Sequence, residues 1–260
     1  MTIVTCVKVR DGLVLGTDSM AHIQRGGAFV RSYKNATKLF QVGNLPMGVI
    51  SWGLGNLGNR SVESLMREFG KSLRANQTSV DAVAKALFKF MKEHYDETAA
   101  EFEDEDGPGD DLPSLGFLLA GYSEGQVFSE IREFQLPEDA KPSMPAPKEV
   151  LGATWRGVEA PFWRLAMGYG FLVRERLEAA GLQDEAAAEL LDDLMIDVVF
   201  DGMPVQDAVE YATFILNTTI GYTTFGMGLS PCGGPLQVAT ILPDRTFNWL
   251  AKPEVRIKGE

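Results

Sequence analysis

The chain has 260 residues, 45% of them hydrophobic and 23% charged, the composition of an ordinary soluble globular protein long enough to bury a core. A formal net charge of -12 argues against nucleic acid or an anionic membrane surface as the main partner. Two cysteines, Cys6 and Cys232, make neither a disulfide framework nor a zinc site, and two histidines leave Ser-His-Asp, Cys-His and His-ligated metal chemistries poorly supplied.

Residues 3–9 are β-branched and mostly alternating, Asp11-Gly12 is a favoured two-residue turn, and 13–15 run back, so the chain opens with a hairpin. A strand starting at residue 2 leaves no room for a signal peptide, and Lys8, Arg10 and Asp11 interrupt any targeting segment. No apolar run reaches membrane-spanning length, so the cytoplasm is the expected location. A polar loop is expected over 21–37, then strands over 38–42 and 47–52. A helix to about residue 74 follows, with Asn59 or Ser61 as N-cap, and a second begins at 78–81. An acidic insertion is expected around 98–112, broken by Gly107-Pro108-Gly109. Strands over 115–122 and 126–133 precede a proline-rich loop at 137–147 and a short strand at 149–152. Helices are predicted over 161–180, 184–200 and 205–220, then a glycine-rich loop at 221–234 and a terminal hairpin, 236–242 with 247–251. There is no repeat and no clean linker, so residues 1–260 read as one α+β domain. Two mostly antiparallel sheets packed face to face between helix layers is the economical arrangement.

The chemistry concentrates at the first hairpin. With Met1 removed, Thr2 carries a hydroxyl nucleophile and an α-amine of pKa about 8, able to act as base. The hairpin returns Asp18 towards the same end. Gly53-Leu54-Gly55-Asn56-Leu57-Gly58 matches the dinucleotide fingerprint, but the next element is a helix rather than a strand ending in an acid, which disfavours nucleotide binding.

Thr2, Asp11-Gly12, Asp18-Ser19, the strand at Lys38-Leu39-Phe40-Gln41-Val42, the strand ending at Gly53 and the late Gly233-Gly234 together resemble the N-terminal-nucleophile (Ntn) hydrolases of the proteasome β-subunit type, as a divergent bacterial-type homologue. The resemblance implies a four-layer αββα sandwich. Thr2 would be the nucleophile, Lys38 the buried lysine that keeps its hydroxyl acidic, Asp18 the partner of Lys38, and Gly53 the oxyanion-hole donor. Ser230, Cys232 and Gly233 would line the pocket. It further implies a threonine-type peptidase or amidohydrolase of peptide or other amide bonds, without cofactor or metal, assembled as a homo-oligomer, with a ring as one form. The chain departs from the pattern in several places: the mid-chain Ser-Gly motif is missing from Gly152-Ala153-Thr154-Trp155-Arg156-Gly157, and the acidic insertion is not typical. No acidic residue occurs between Glu210 and Asp244, and Cys232 replaces the serine expected before Gly-Gly. The alternative is a catalytically inactive Ntn-fold homologue serving as an oligomeric scaffold or binding module; a thiol enzyme using Cys232 is a weaker one.

Overall fold

The computed structural model describes residues 2–252 except 26–27, 75, 107–111, 183, 193, 197 and 245. Met1, the Gly107-Pro108-Gly109 break and the Arg245 turn therefore lie outside the described residues. The fold is α+β, with antiparallel sheets and six helices among the described residues.

Strand β1 (Ile3–Val9) is wholly buried, and β2 (Gly12–Thr17) pairs with it as the hairpin predicts, Val9 opposite Gly12 and Val4 opposite Thr17. Ile3, Val4, Val7 and Val9 are at most 1% exposed. At about 2 kcal/mol per buried branched side chain, β1 is held firmly in its sheet. Two strands, β3 (Ala21–Arg25) and β4 (Ala28–Tyr33), form a separate hairpin where a polar loop was expected. Their residues lack a continuous apolar face, so pairing is held by the backbone and left no alternation to read. Strands β5 (Leu39–Gln41) and β6 (Met47–Gly53) follow as predicted. The glycine-rich 53–58 segment then forms a small hairpin, β7 (Asn56–Leu57) with β8 (Arg60–Ser61), rather than a phosphate-binding turn.

Helix α1 (Val62–Ser72) is capped by Ser61, whose Oγ accepts from the Ser64 N–H at 3.1 Å. Helix α2 (Val80–Asp106) absorbs most of the expected acidic insertion, because helical backbone continues through residues 98–106. Strands β9 (Leu115–Gly121) and β10 (Glu130–Leu136) pair antiparallel, and β11 (Gly152–Gly157) begins later than expected. The predicted 161–180 helix is two, α3 (Ala160–Met167) and α4 (Leu172–Ala179). Gly168 ends the first in the left-handed region at φ 75°. Helix α5 (Asp184–Asp192) is shorter than predicted, and α6 (Val205–Thr224) longer. Strands β12 (Gln237–Ile241) and β13 (Phe247–Ala251) close the chain as a hairpin.

Two larger sheets result, ordered β11-β1-β2-β12-β13 and β10-β9-β6-β5. Alternation along β1 separates two environments. Val4 and Cys6 pack with Leu39, Ile50 and Leu118 of the second sheet, whereas Ile3, Val7 and Val9 pack with Phe162 of α3 and Ile215 of α6. The opposite face of the second sheet packs Val49, Phe117 and Phe134 against α1 and α2.

Candidate active site

Asp18 follows β2 directly and is completely buried, so its charge needs partners. Four groups supply them. Oδ1 accepts from the Ile3 N–H at 3.3 Å and from Lys38 Nζ at 2.8 Å; Oδ2 accepts from the Met20 N–H at 3.1 Å and the Gly233 N–H at 2.8 Å. Lys38, 7% exposed, donates to Asp18, to the Met20 carbonyl and to Thr2 Oγ1 at 2.7 Å. Burial pulls the Lys38 ammonium below the ordinary lysine range, and the Asp18 charge and hydrogen bond oppose that pull. Thr2, Asp18 and Lys38, separated by up to 36 positions in sequence, are therefore one hydrogen-bonded chain. Thr2 is itself 4% exposed.

Gly53 ends β6, the strand flanking Lys38, where Ser51 N–H donates to the Lys38 carbonyl at 2.9 Å. At φ 89°, a Cβ on Gly53 would sit 2.1 Å from the Ser114 carbonyl oxygen. Close approach of β9 thus requires glycine there, whatever else its amide does. Gly233 belongs to the site through its bond to Asp18. Cys232, 1% exposed, lies with Sγ 3.4 Å from Thr223 Oγ1, and Ser230 Oγ donates to the Cys232 carbonyl at 2.8 Å. Burial pushes the Cys232 thiol up, which disfavours the thiolate that a cysteine nucleophile needs. His22 ties this loop to the β3–β4 hairpin, with Nε2 3.0 Å from the Ser230 carbonyl and Nδ1 2.9 Å from Ser32 Oγ.

Sequence reasoning missed two supports. Gln237, fully buried, accepts from the backbone N–H groups of Lys38 and Leu39 at 3.0 and 3.2 Å and donates to the Ala36 carbonyl, which anchors the residue carrying the cation. A glutamine inside the apolar run 236–242 was its signal. Gly157, at φ 89°, brings β11 against the nucleophile: its Cβ would lie 1.9 Å from the Thr2 carbonyl oxygen, which accepts from Val158 N–H at 2.8 Å. Glu159 follows, half-buried. Burial lifts its carboxyl above the usual range, Arg156 opposes the lift and Glu133 adds to it.

No family model matches the sequence, and no curated protein matches it. Solved structures do match its fold. Anbu (ancestral beta-subunit) from Yersinia bercovieri is similar with a TM-score of 0.54 and 15% identity, over 96% of this chain and 87% of that one. The Anbu (Gly-1) mutant from Hyphomicrobium sp. strain MC1 is similar with a TM-score of 0.51 and 11% identity, over 96% and 88%. The likeness is to a proteasome-like fold and, at these identities, to nothing finer. It corrects the expectation of a divergent bacterial-type proteasome β-subunit homologue: these neighbours are Anbu proteins, and no family model covers the chain. The residues behind that expectation sit at the ends of the hairpin, β5 and β6 and in the loop before β12, so they report the fold and not a branch within it. Among the described residues, no helix is long and apolar enough to cross a membrane.

Proposed function

We propose that the chain is a threonine N-terminal-nucleophile hydrolase acting on peptide or other amide bonds, with residues 1–260 forming one αββα sandwich. The observation that carries this reading is Lys38 Nζ held between Thr2 Oγ1 and Asp18 Oδ1, at 2.7 and 2.8 Å, in a buried site. With Met1 removed, the Thr2 α-amine takes the hydroxyl proton, directly or through water. Oγ1 attacks the substrate carbonyl carbon, and the Lys38 ammonium stabilises the developing negative charge on the nucleophile. The backbone N–H of Gly53 holds the carbonyl oxygen as it becomes an oxyanion. Collapse breaks the C–N bond, the departing amine takes the proton, and water hydrolyses the resulting ester to restore Thr2. The Asp18 carboxylate keeps Lys38 charged against burial and fixes its position. The enzyme works in the cytoplasm, without cofactor, as a homo-oligomer for which a ring is one closed form.

A second reading, a catalytically idle scaffold of the same fold, is favoured by one observation. The stretch between Glu210 and Asp244 has no acid, and Thr223, Ser230 and Cys232, which contact one another there, bring no negative charge to orient an amine. Covalent labelling with a threonine-reactive electrophile separates the two. The hydrolase adds one equivalent on Thr2 and loses it in Thr2→Ala. Labelling that survives Thr2→Ala, or none in protein whose chain begins at Thr2, leaves the scaffold.

A further inference from the structure

The segments that wall the active site differ in charge from the rest of the chain. Asp and Glu make up 36 of the 260 residues, yet none occurs over 19–62, which carry Arg25, Arg31, Lys34, Lys38 and Arg60. Lys38 is matched by Asp18 at 2.8 Å, whereas Arg31 and Lys34 are exposed and form no ion pair among the described residues. Both line a cleft of about 490 Å³ over residues 31–36, a volume within the range of small-molecule sites. Arg31 Cζ lies 5.6 Å from the centroid of the Tyr33 ring, a cation–π contact that holds the guanidinium to the cleft wall.

This cleft adjoins the support of the nucleophile. Ser19, the neighbour of Asp18, donates from Oγ to the Lys34 carbonyl at 2.7 Å, and its own carbonyl accepts from the Ala36 N–H at 2.9 Å. Ser19 N–H donates to the Gly233 carbonyl at 3.1 Å, and a Cβ on Gly234, at φ 78°, would lie 2.8 Å from the Lys34 carbonyl oxygen. Ala36 precedes Lys38 by two residues, about 7 Å of extended backbone. The 230–234 loop, inside the acid-free stretch 211–243, is tied to the same β3–β4 hairpin through His22.

We propose that the 31–36 cleft is a subsite for a carboxylate, so that the preferred substrate is an amide flanked by an acidic side chain. This rests on the hydrolase reading and names its substrate class. Charge is the first argument. A chain of net charge -12 repels an anionic substrate on approach, and an acid-free wall with two unmatched cations reverses that repulsion locally. Asp18 and Glu159, the carboxyls next in the site, do not offset these cations: four donors engage Asp18, and burial shifts Glu159 towards its neutral form. Donor geometry is the second. A guanidinium presents a planar fork that pairs a carboxylate through two parallel hydrogen bonds, and a lysine adds a point charge beside it. Tyr33 and Asn35, both exposed in the same cleft, supply uncharged donors. A basic substrate group would meet no counter-charge there.

Three fluorogenic peptide amides that differ only in the residue before the scissile amide, Glu, Gln or Lys, test it on protein whose chain begins at Thr2. Two exposed cations at about threefold each predict a kcat/KM about tenfold higher for Glu than for Gln, with Lys lowest. Arg31→Gln and Lys34→Gln should each lower the Glu-to-Gln ratio about threefold, and together bring it to about one. The ratio should also fall at about 1 M salt, where exposed charges are screened within about 3 Å. Lys71→Gln removes the same charge from the exposed end of α1 and should leave the ratio intact. Equal rates on the three peptides, or a ratio that ignores Arg31 and Lys34, overturns the proposal. Binding of the same peptides to Thr2→Ala, read by fluorescence anisotropy, separates it from the hydrolase reading. A Glu preference in binding, with no cleavage by the native chain, removes the hydrolase and keeps the carboxylate subsite. Cleavage without a Glu preference does the reverse, and equal or absent binding of the three peptides also overturns the subsite.

Discussion

Lys38 and Asp18 are stable only as a pair. The Asp18 carboxylate is fully buried, and Lys38 is nearly so. Removing one partner strands the other charge, at a cost of about 3–5 kcal/mol, whereas removing both replaces an ion pair by neutral groups at much lower cost. Lys38→Met and Asp18→Asn are therefore each expected to lower the unfolding free energy by about 3–5 kcal/mol, and the double mutant to lower it by clearly less than the sum of the two. Urea titrations of the four proteins measure that cycle, and additive single effects contradict the coupling. Glu159 carries a pH dependence of known sign. Its folded pKa is raised by burial, so the folded state holds the proton more tightly than the unfolded state. That contribution is complete below the ordinary glutamate pKa and lost as pH rises through the folded value. Glu159→Gln should raise the melting temperature at neutral pH and leave it unchanged in acid; equal effects at both pH values would refute the assignment.

Among the elements, β11 acts on the nucleophile through one glycine. Gly157→Ala places a methyl 1.9 Å from the Thr2 carbonyl oxygen at a left-handed φ, so β1 and β11 must separate at the site end. The expected loss is at least about 2 kcal/mol of stability together with loss of Thr2 labelling. Gly125→Ala is the control, because φ there is also positive, at 75°, but nothing lies within 4 Å of the added methyl. It should cost about 1–2 kcal/mol of backbone strain and leave labelling intact. Equal effects of the two substitutions would remove β11 from the site. The hairpin, β5, β6 and the Ser61 cap were legible because alternation and turn chemistry are local. Asp18 was legible as the carboxylate the hairpin returns to the site end, whereas Lys38 came from the resemblance alone. Gly157 and Gln237 were not, because what makes them matter is a strand that arrives from more than a hundred residues away. The α3–α4 break had a local signal that the helical reading ran through: Gly168 and Gly170 lie two residues apart, each costing about 1 kcal/mol in a helix interior.

For the molecule as a whole, the two sheets share one inner cluster, and β1 starts at the end where Asp18, Lys38 and Gly233 converge. Helices α1 and α2 pack on a face of the second sheet, and α3 and α6 on a face of the first. The fold places Thr2 Oγ1 within hydrogen-bonding reach of the cation. Whether Thr2 also bears the base depends on the removal of a single residue. Intact-mass measurement of the protein isolated from its native host decides this most directly. The hydrolase reading predicts a chain that begins at Thr2, lighter by one methionine than the encoded sequence. A chain that retains Met1 contradicts it.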